Sequence, residues 1–183
     1  MDHYIDIQIQ PDDEMRENVL LNKVYSKLHK TLFSLKSNDI GVSFPEFRVK
    51  LGCTLRLHST AARLTELQQL NWLGGLSGYC KITAIQSIPA NVMYHTVSRI
   101  QATMTQAKLN RLIKRGTITE DRVKQYRVKM FGRGLDNPYL ELESTSNGQQ
   151  HRRYLAFGKL CEISSQGEFD YFGLSKTATI PCF

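Results

Sequence analysis

Ile5, Ile7 and Ile9 alternate with Asp6, Gln8 and Gln10 until Pro11 ends the run, the period-two pattern of a strand with one buried face. From Glu14 to about Lys36 the spacing changes to three and four. Leu21, Val24, Leu28, Leu32 and Leu35 then share one face of a helix, which covers the sheet of that first strand. Ile40 to Phe44, closed by Pro45, predicts a second strand, and the alternation of Cys53, Leu55 and Leu57 with Thr54, Arg56 and His58 a third. Leu64, Leu67 and Leu70 mark a second helix opening near Ser59 or Thr60, whose hydroxyls can accept from the free first-turn amides. Gly74, Gly75 and Gly78 break the chain before a fourth strand, Tyr79 to Gln86. The order β-α-β-β-α-β over residues 1–87 is the ferredoxin-like pattern, a four-stranded antiparallel sheet with two helices on one face.

Pro89 opens a different half. Tyr94 to Gln101 reads as extended, and helices follow at about Gln106 to Arg115 and Thr119 to Met130. Beyond Gly132, Gly134 and Pro138, the runs Tyr139–Glu143, Arg153–Lys159, Leu160–Ser164 and Phe169–Phe172 read as strands of a smaller sheet. The fold class is therefore α+β: an N-terminal ferredoxin-like (βαββαβ) domain over 1–88 and a C-terminal α+β domain over 89–183 carrying an arginine- and lysine-rich helix. With no repeat and no flexible linker, the halves are expected to pack together.

Charge changes the picture at the new helices. Between Arg99 and Arg133 lie ten of the 24 Lys and Arg residues but two of the 17 acidic ones, a local charge of +8, while the remainder carries −1. Such localisation is the footprint of a polyanion, commonly nucleic acid; a well-solvated helical pair is the alternative. Lys108, Arg111 and Arg115 fall at i, i+3 and i+7, with Asn110 and Lys114 widening the polar face and Leu109, Leu112 and Ile113 on another. Ten cations facing two anions form no balanced salt-bridged surface, which favours nucleic acid.

Cys53, Cys80, Cys161 and Cys182 form no C-x-x-C pair, so neither a zinc site nor a disulfide framework is expected. MDHYIDIQIQ lacks a secretory pattern, and no stretch approaches the roughly 20 apolar residues of a membrane span. A cytoplasmic protein without a membrane partner is expected.

Arg99 and Gln101 share a face of the extended segment; an arginine fork matches guanine O6 and N7 and a glutamine amide matches adenine N6 and N7. An exposed strand with two polar residues is the plainer reading. His29, in line with Tyr25 and Phe33, suits either aromatic packing or proton abstraction near neutral pH. His29-Lys30-Thr31 and His58-Ser59-Thr60 are two H-x-T triplets, but His29 sits mid-helix, where that strand motif does not belong. Ser144 to Gln149 forms a polar turn whose hydroxyls can orient a ribose. His151, Arg152 and Arg153 can stack on an exposed base pair. No carboxylate cluster, phosphate loop or Ser-His-Asp set stands out, so no metal or cofactor is expected, and RNA chemistry here points to attack by the substrate's own 2′-OH.

In order, Met1-Asp2-His3-Tyr4, Lys27-Leu28-His29, Ile40-Gly41-Val42-Ser43-Phe44-Pro45, Val97-Ser98-Arg99-Ile100-Gln101-Ala102 and Phe172-Gly173-Leu174-Ser175-Lys176 with Pro181 and Phe183 run end to end. This set resembles the type I-F (Ypest subtype) CRISPR-associated endoribonucleases that process precursor CRISPR RNA. The resemblance implies cleavage at the base of a CRISPR repeat hairpin, with the basic helix in its major groove. It casts His29 as general base on the 2′-OH, which attacks to leave a cyclic phosphate, Ser144 as the ribose-holding residue and Ser146 as a second nearby serine. Arg99 and Gln101 become the base-reading pair, and Lys108, Arg111, Lys114 and Arg115 the groove contacts. It further implies that the protein stays on the product stem-loop as a subunit of the surveillance complex. Two positions depart from the family: Phe172 stands where it has a tyrosine at the catalytic site, and His151 where it has a phenylalanine stacked beneath the stem. A noncatalytic hairpin-binding subunit, or a structural protein with an acidic partner, remain as other readings.

Overall fold

The computed structural model of the chain describes residues 1–101, 106–132, 137–143, 148 and 150–183. Strands β1 (His3–Ile9), β2 (Gly41–Ser43), β3 (Thr54–Ser59) and β4 (Cys80–Ile82) form a sheet in the order β2-β3-β1-β4, with every neighbouring pair antiparallel. Helix α1 (Glu17–Ser34) follows β1 and α2 (Ala61–Gln69) follows β3. Apolar positions set these elements as their spacing predicts: Ile5, Ile7 and Ile9, Leu55 and Leu57, the α1 residues Leu21, Val24, Leu28 and Leu32, and Leu64 and Leu67 of α2 meet in one buried cluster. Thr60 caps α2 by accepting from the Arg63 amide at 3.3 Å.

Local hydrogen bonding moves several boundaries. Asp12 Oδ1 accepts from the amides of Glu14 and Met15, closing a turn of its own, so α1 starts at Glu17 rather than Glu14. The fourth strand is broken into β4 and β5 (Gln86–Ser87), both on β1. Between them the Thr83 hydroxyl accepts from the Asp6 amide at 3.0 Å, where a ladder carbonyl would otherwise stand.

In the second half, β6 (Met93–His95) and β7 (Val97–Ile100) precede helices α3 (Gln106–Lys114) and α4 (Glu120–Gly132). Strands β8 (Tyr139–Glu143), β9 (Gln150–Phe157) and β10 (Ile180–Cys182) complete the chain. An antiparallel sheet runs β7-β9-β8, and β10 pairs with β6. The runs Leu160–Ser164 and Phe169–Phe172, expected as strands, are not: Cys161 makes one isolated bridge to Tyr94, and residues 169–173 lead into a turn tied by Asp170. Helix α3 ends on Gly116 at φ +65, with the Gly116 amide donating to the Ile113 carbonyl and the Thr117 amide to that of Leu112.

The two halves share a core. Val97, Leu140, Leu142, Leu155, Phe169, Leu174 and Ile180 join the same buried cluster as the first sheet. Helix α1 lies between that sheet and β8, where the Glu141 amide donates to Asn22 Oδ1 at 3.1 Å. Among the described residues no helix is long and apolar enough to cross a membrane.

Candidate active site

Residues 25 and 29 stand one helical turn apart on α1 and face the same C-terminal turn. The Tyr25 hydroxyl donates to the Phe172 carbonyl at 2.7 Å, and His29 Nδ1 lies 2.9 Å from the carbonyl oxygen of Tyr171. A carbonyl only accepts, so Nδ1 carries the proton and the lone pair of the neutral ring is on Nε2. That leaves Nε2 free to take a proton from a substrate hydroxyl.

The turn is held from within. Asp170 Oδ1 accepts from the amides of Phe172 and Leu174, at 2.9 and 3.0 Å, and the Gly173 amide donates to the Asp170 carbonyl. Gly173 has φ +70, and a Cβ there would stand 2.3 Å from Val42 Cγ2. Only glycine satisfies both conditions. The Gly173 carbonyl accepts from Val42, and the Ser175 amide donates to the Val97 carbonyl, so the turn is fastened to both halves.

His29 is half-buried and stacks on Phe172, with ring centroids 3.5 Å apart and planes 10° apart. Position 172 therefore gives the histidine a ring face rather than a hydroxyl. Tyr171 turns away, edge-on to Phe33 at 5.3 Å. The guanidinium of Arg153 lies 3.4 Å from the Phe172 centroid. Imidazole and guanidinium cannot occupy one face at those separations, so they sandwich the phenyl ring. Burial pulls the His29 pKa below its ordinary value; the Tyr171 carbonyl opposes this, Arg153 and Lys30 reinforce it, and Asp170 opposes it. The net effect keeps the imidazole neutral at pH 7.

Arg99 is exposed on β7 opposite Leu155 and close enough to Arg153 to disfavour its charge; Gln101 is exposed just beyond the strand. Lys108, Arg111, Lys114 and Arg115 are all exposed, while Leu109 on the opposite side is fully buried. Ile113, expected on the apolar face, is 46% exposed, because this nine-residue helix docks through Leu109 and little else. His151 is exposed at the start of β9. Arg152 pairs with Glu141 at 3.0 Å and covers the Tyr139 ring, so its outward side chain is already engaged. Ser144 and Ser146 lie outside the described residues. His58, of the second H-x-T triplet, is fully buried with Nε2 2.8 Å from Ser43 Oγ. Among the described residues no three His, Cys, Asp or Glu side chains gather as metal ligands.

Sequence reasoning passed over Asp170 and read Arg153 as an outward group able to stack on a base pair, whereas Arg153 is buried with its guanidinium on the Phe172 ring. The signal for Arg153 was its parity with Leu155 on β9, which turns it inward with the core. Asp170, three residues before Gly173, is a turn signal hidden inside an apparently extended run.

A family model for CRISPR-associated protein (Cas_Csy4) matches residues 4–183. The chain is 36% identical over 184 residues to the CRISPR-associated endonuclease Cas6/Csy4 of Escherichia coli (strain UTI89 / UPEC), covering 100% of both chains. It is 35% identical over 187 residues to the protein of the same name from Pseudomonas aeruginosa (strain UCBPP-PA14), again covering 100% of both. Among solved structures it resembles the CRISPR endoribonuclease Cse3 bound to a 19-nucleotide RNA, with TM-score 0.40 and 12% identity over 100% of both chains.

Proposed function

Since the chain belongs to the Cas_Csy4 family of CRISPR-associated proteins, we propose that it is an endoribonuclease that cuts the repeat hairpins of precursor CRISPR RNA. The observation that carries the chemistry is the 2.9 Å contact of His29 Nδ1 with the Tyr171 carbonyl, which fixes the tautomer and presents Nε2 as a base. Nε2 takes the proton of the 2′-OH beside the scissile phosphate. The oxygen attacks phosphorus, the bond to the 5′ oxygen breaks, and that oxygen leaves with a proton from the imidazolium or water. The products are a 2′,3′-cyclic phosphate and a 5′-hydroxyl, and no metal takes part. Base catalysis by one histidine contributes about 10²- to 10⁴-fold. Ser144 holds the ribose hydroxyl as donor or acceptor, with Ser146 as a second serine nearby in sequence.

Exposed Lys108, Arg111, Lys114 and Arg115 neutralise phosphates along the stem, while Arg99 and Gln101 read base edges and His151 stacks beneath them. Reading edges this way requires the groove to be opened, as at a helix end. The strand order β2-β3-β1-β4, with helices after β1 and β3, supports residues 1–88 as a ferredoxin-like domain, and the basic helices support 89–183 as the hairpin-binding domain. The protein keeps its product stem-loop and enters the surveillance complex as a subunit, in the cytoplasm.

Incubation with the repeat RNA in EDTA tests the reaction. The expected product ends in a cyclic phosphate, and a single 2′-deoxy substitution at the cleavage nucleotide abolishes it. Binding without scission would leave a noncatalytic RNA-binding subunit.

A further inference from the structure

We infer that Arg153 is a positioning residue of this nuclease, acting on His29 through the ring of Phe172; the inference rests on the endoribonuclease reading above. Arg153 is 6% exposed on the inward face of β9, on the same side as fully buried Leu155. A guanidinium stays charged at any ordinary pH, and taking it out of water is costly unless partners replace the lost solvent. Its Nε has no hydrogen-bond partner; Tyr25 and Asp170 favour its charge only through space, and Asp170 Oδ1 is taken by the amides of Phe172 and Leu174. A leucine or methionine would fill this position without that cost. The group in close contact with the charge is the face of Phe172, 3.4 Å away, with His29 against the opposite face at 3.5 Å.

The three-layer stack has two consequences. First, the phenyl ring is clamped between two planar groups, so the His29 ring cannot tilt without opening the stack, and Nε2 keeps its direction. Second, a cation across the ring makes a second cation at His29 unfavourable, whereas a neutral imidazole stacks freely on a phenyl face polarised from behind. The charged and polar groups around His29 are Arg153 on β9, Asp170 and the Tyr171 carbonyl in the turn, and Lys30 on α1; Arg99 on β7 acts on Arg153. Burial and the two cations together keep the base unprotonated. Arg153 thus supplies geometry and protonation state without touching RNA.

Two variants of the full chain separate these effects: Arg153→Met removes charge and plane at similar length, and Arg153→Lys keeps the charge without the planar fork. The His29 ring is titrated by NMR in RNA-free protein, and single-turnover cleavage of saturating repeat hairpin is followed against pH. Affinity is measured with a hairpin 2′-deoxy at the cleavage nucleotide. With the charge gone, Arg153→Met is expected to raise the His29 titration midpoint by about one pH unit, as for two charges roughly 7 Å apart in a partly buried site. Cleavage falls about tenfold or more, and affinity stays within about threefold of wild type. Arg153→Lys keeps the wild-type titration and loses rate. Wild-type titration and rate in Arg153→Met would overturn the inference; if that variant does not fold, wild-type cleavage by Arg153→Lys would do so. A wild-type chain that binds without cutting would remove the nuclease reading instead. The titration in RNA-free protein would still show whether Arg153 governs the ring.

Discussion

The imidazole of His29 lies parallel to the phenyl ring of Phe172, 3.5 Å from it, while its Nδ1 is held by the carbonyl of the preceding residue, Tyr171. One turn of backbone thus fixes both the plane and the tautomer of the base. Because this turn is 142 residues away in sequence, the site exists only when the two halves are packed together.

The protonation of His29 sets the pH dependence of cleavage. Burial lowers its pKa below the usual 6.5, so the ring is neutral and active above that value and loses activity as pH falls through the lowered pKa. Single-turnover rates in saturating enzyme are expected to be flat from pH 7 upward through the neutral range, and to fall about tenfold per pH unit on the acid side, with the midpoint below 6.5. A midpoint above 7 would show that the ring is stabilised as a cation.

Gly173→Ala is expected to destabilise the protein by about 2 kcal/mol or more, since alanine meets both the positive φ and Val42 Cγ2 at 2.3 Å. Urea unfolding measures the loss, and cleavage is expected to fall with it as the turn releases His29. An unchanged midpoint would mean that the turn relaxes without strain.

How far the sequence disclosed this molecule depends on the range of the forces involved. Period two in β1 and periods three and four in α1 were legible because each face is set by its own residues. The break between β4 and β5 was not, since it depends on a threonine hydroxyl replacing a ladder carbonyl across the sheet. Three-residue β10, with Pro181 inside it, exists only by pairing with β6 and carries no local pattern. His29 was legible as a residue type, and the basic helix as a charge excess. Arg153 was not, because an arginine beside Arg152 and His151 reads as surface until the strand's parity turns it inward.

His58 gives stability its own pH dependence. Its folded pKa is pushed down to about 3, by burial first and then by Arg56 and His95, whereas the unfolded chain takes up the proton near pH 6.5. This contribution is complete above pH 6.5 and is lost as pH falls toward 3, at about 1.4 kcal/mol per unit. Urea midpoints between pH 7 and 4.5 are expected to drop more steeply for wild type than for His58→Gln. Parallel slopes would contradict a neutral buried His58.

Arg99→Ala is expected to cost about 1 to 3 kcal/mol against the correct stem and less against scrambled stems, the signature of a base contact. Arg111→Ala, on the exposed face of α3, is expected to weaken both equally and to lower the slope of log affinity against log salt by about one. Titrations at several salt concentrations distinguish them. Equal losses at both stems for Arg99 would make it a phosphate contact.

The central claim is that His29 removes the proton from the RNA's own hydroxyl, and paired measurements on His29→Ala test it most directly. In EDTA, the variant should bind the repeat hairpin as wild type does while its single-turnover cleavage falls at least about 100-fold. Cleavage at the wild-type rate with intact binding would place the base elsewhere.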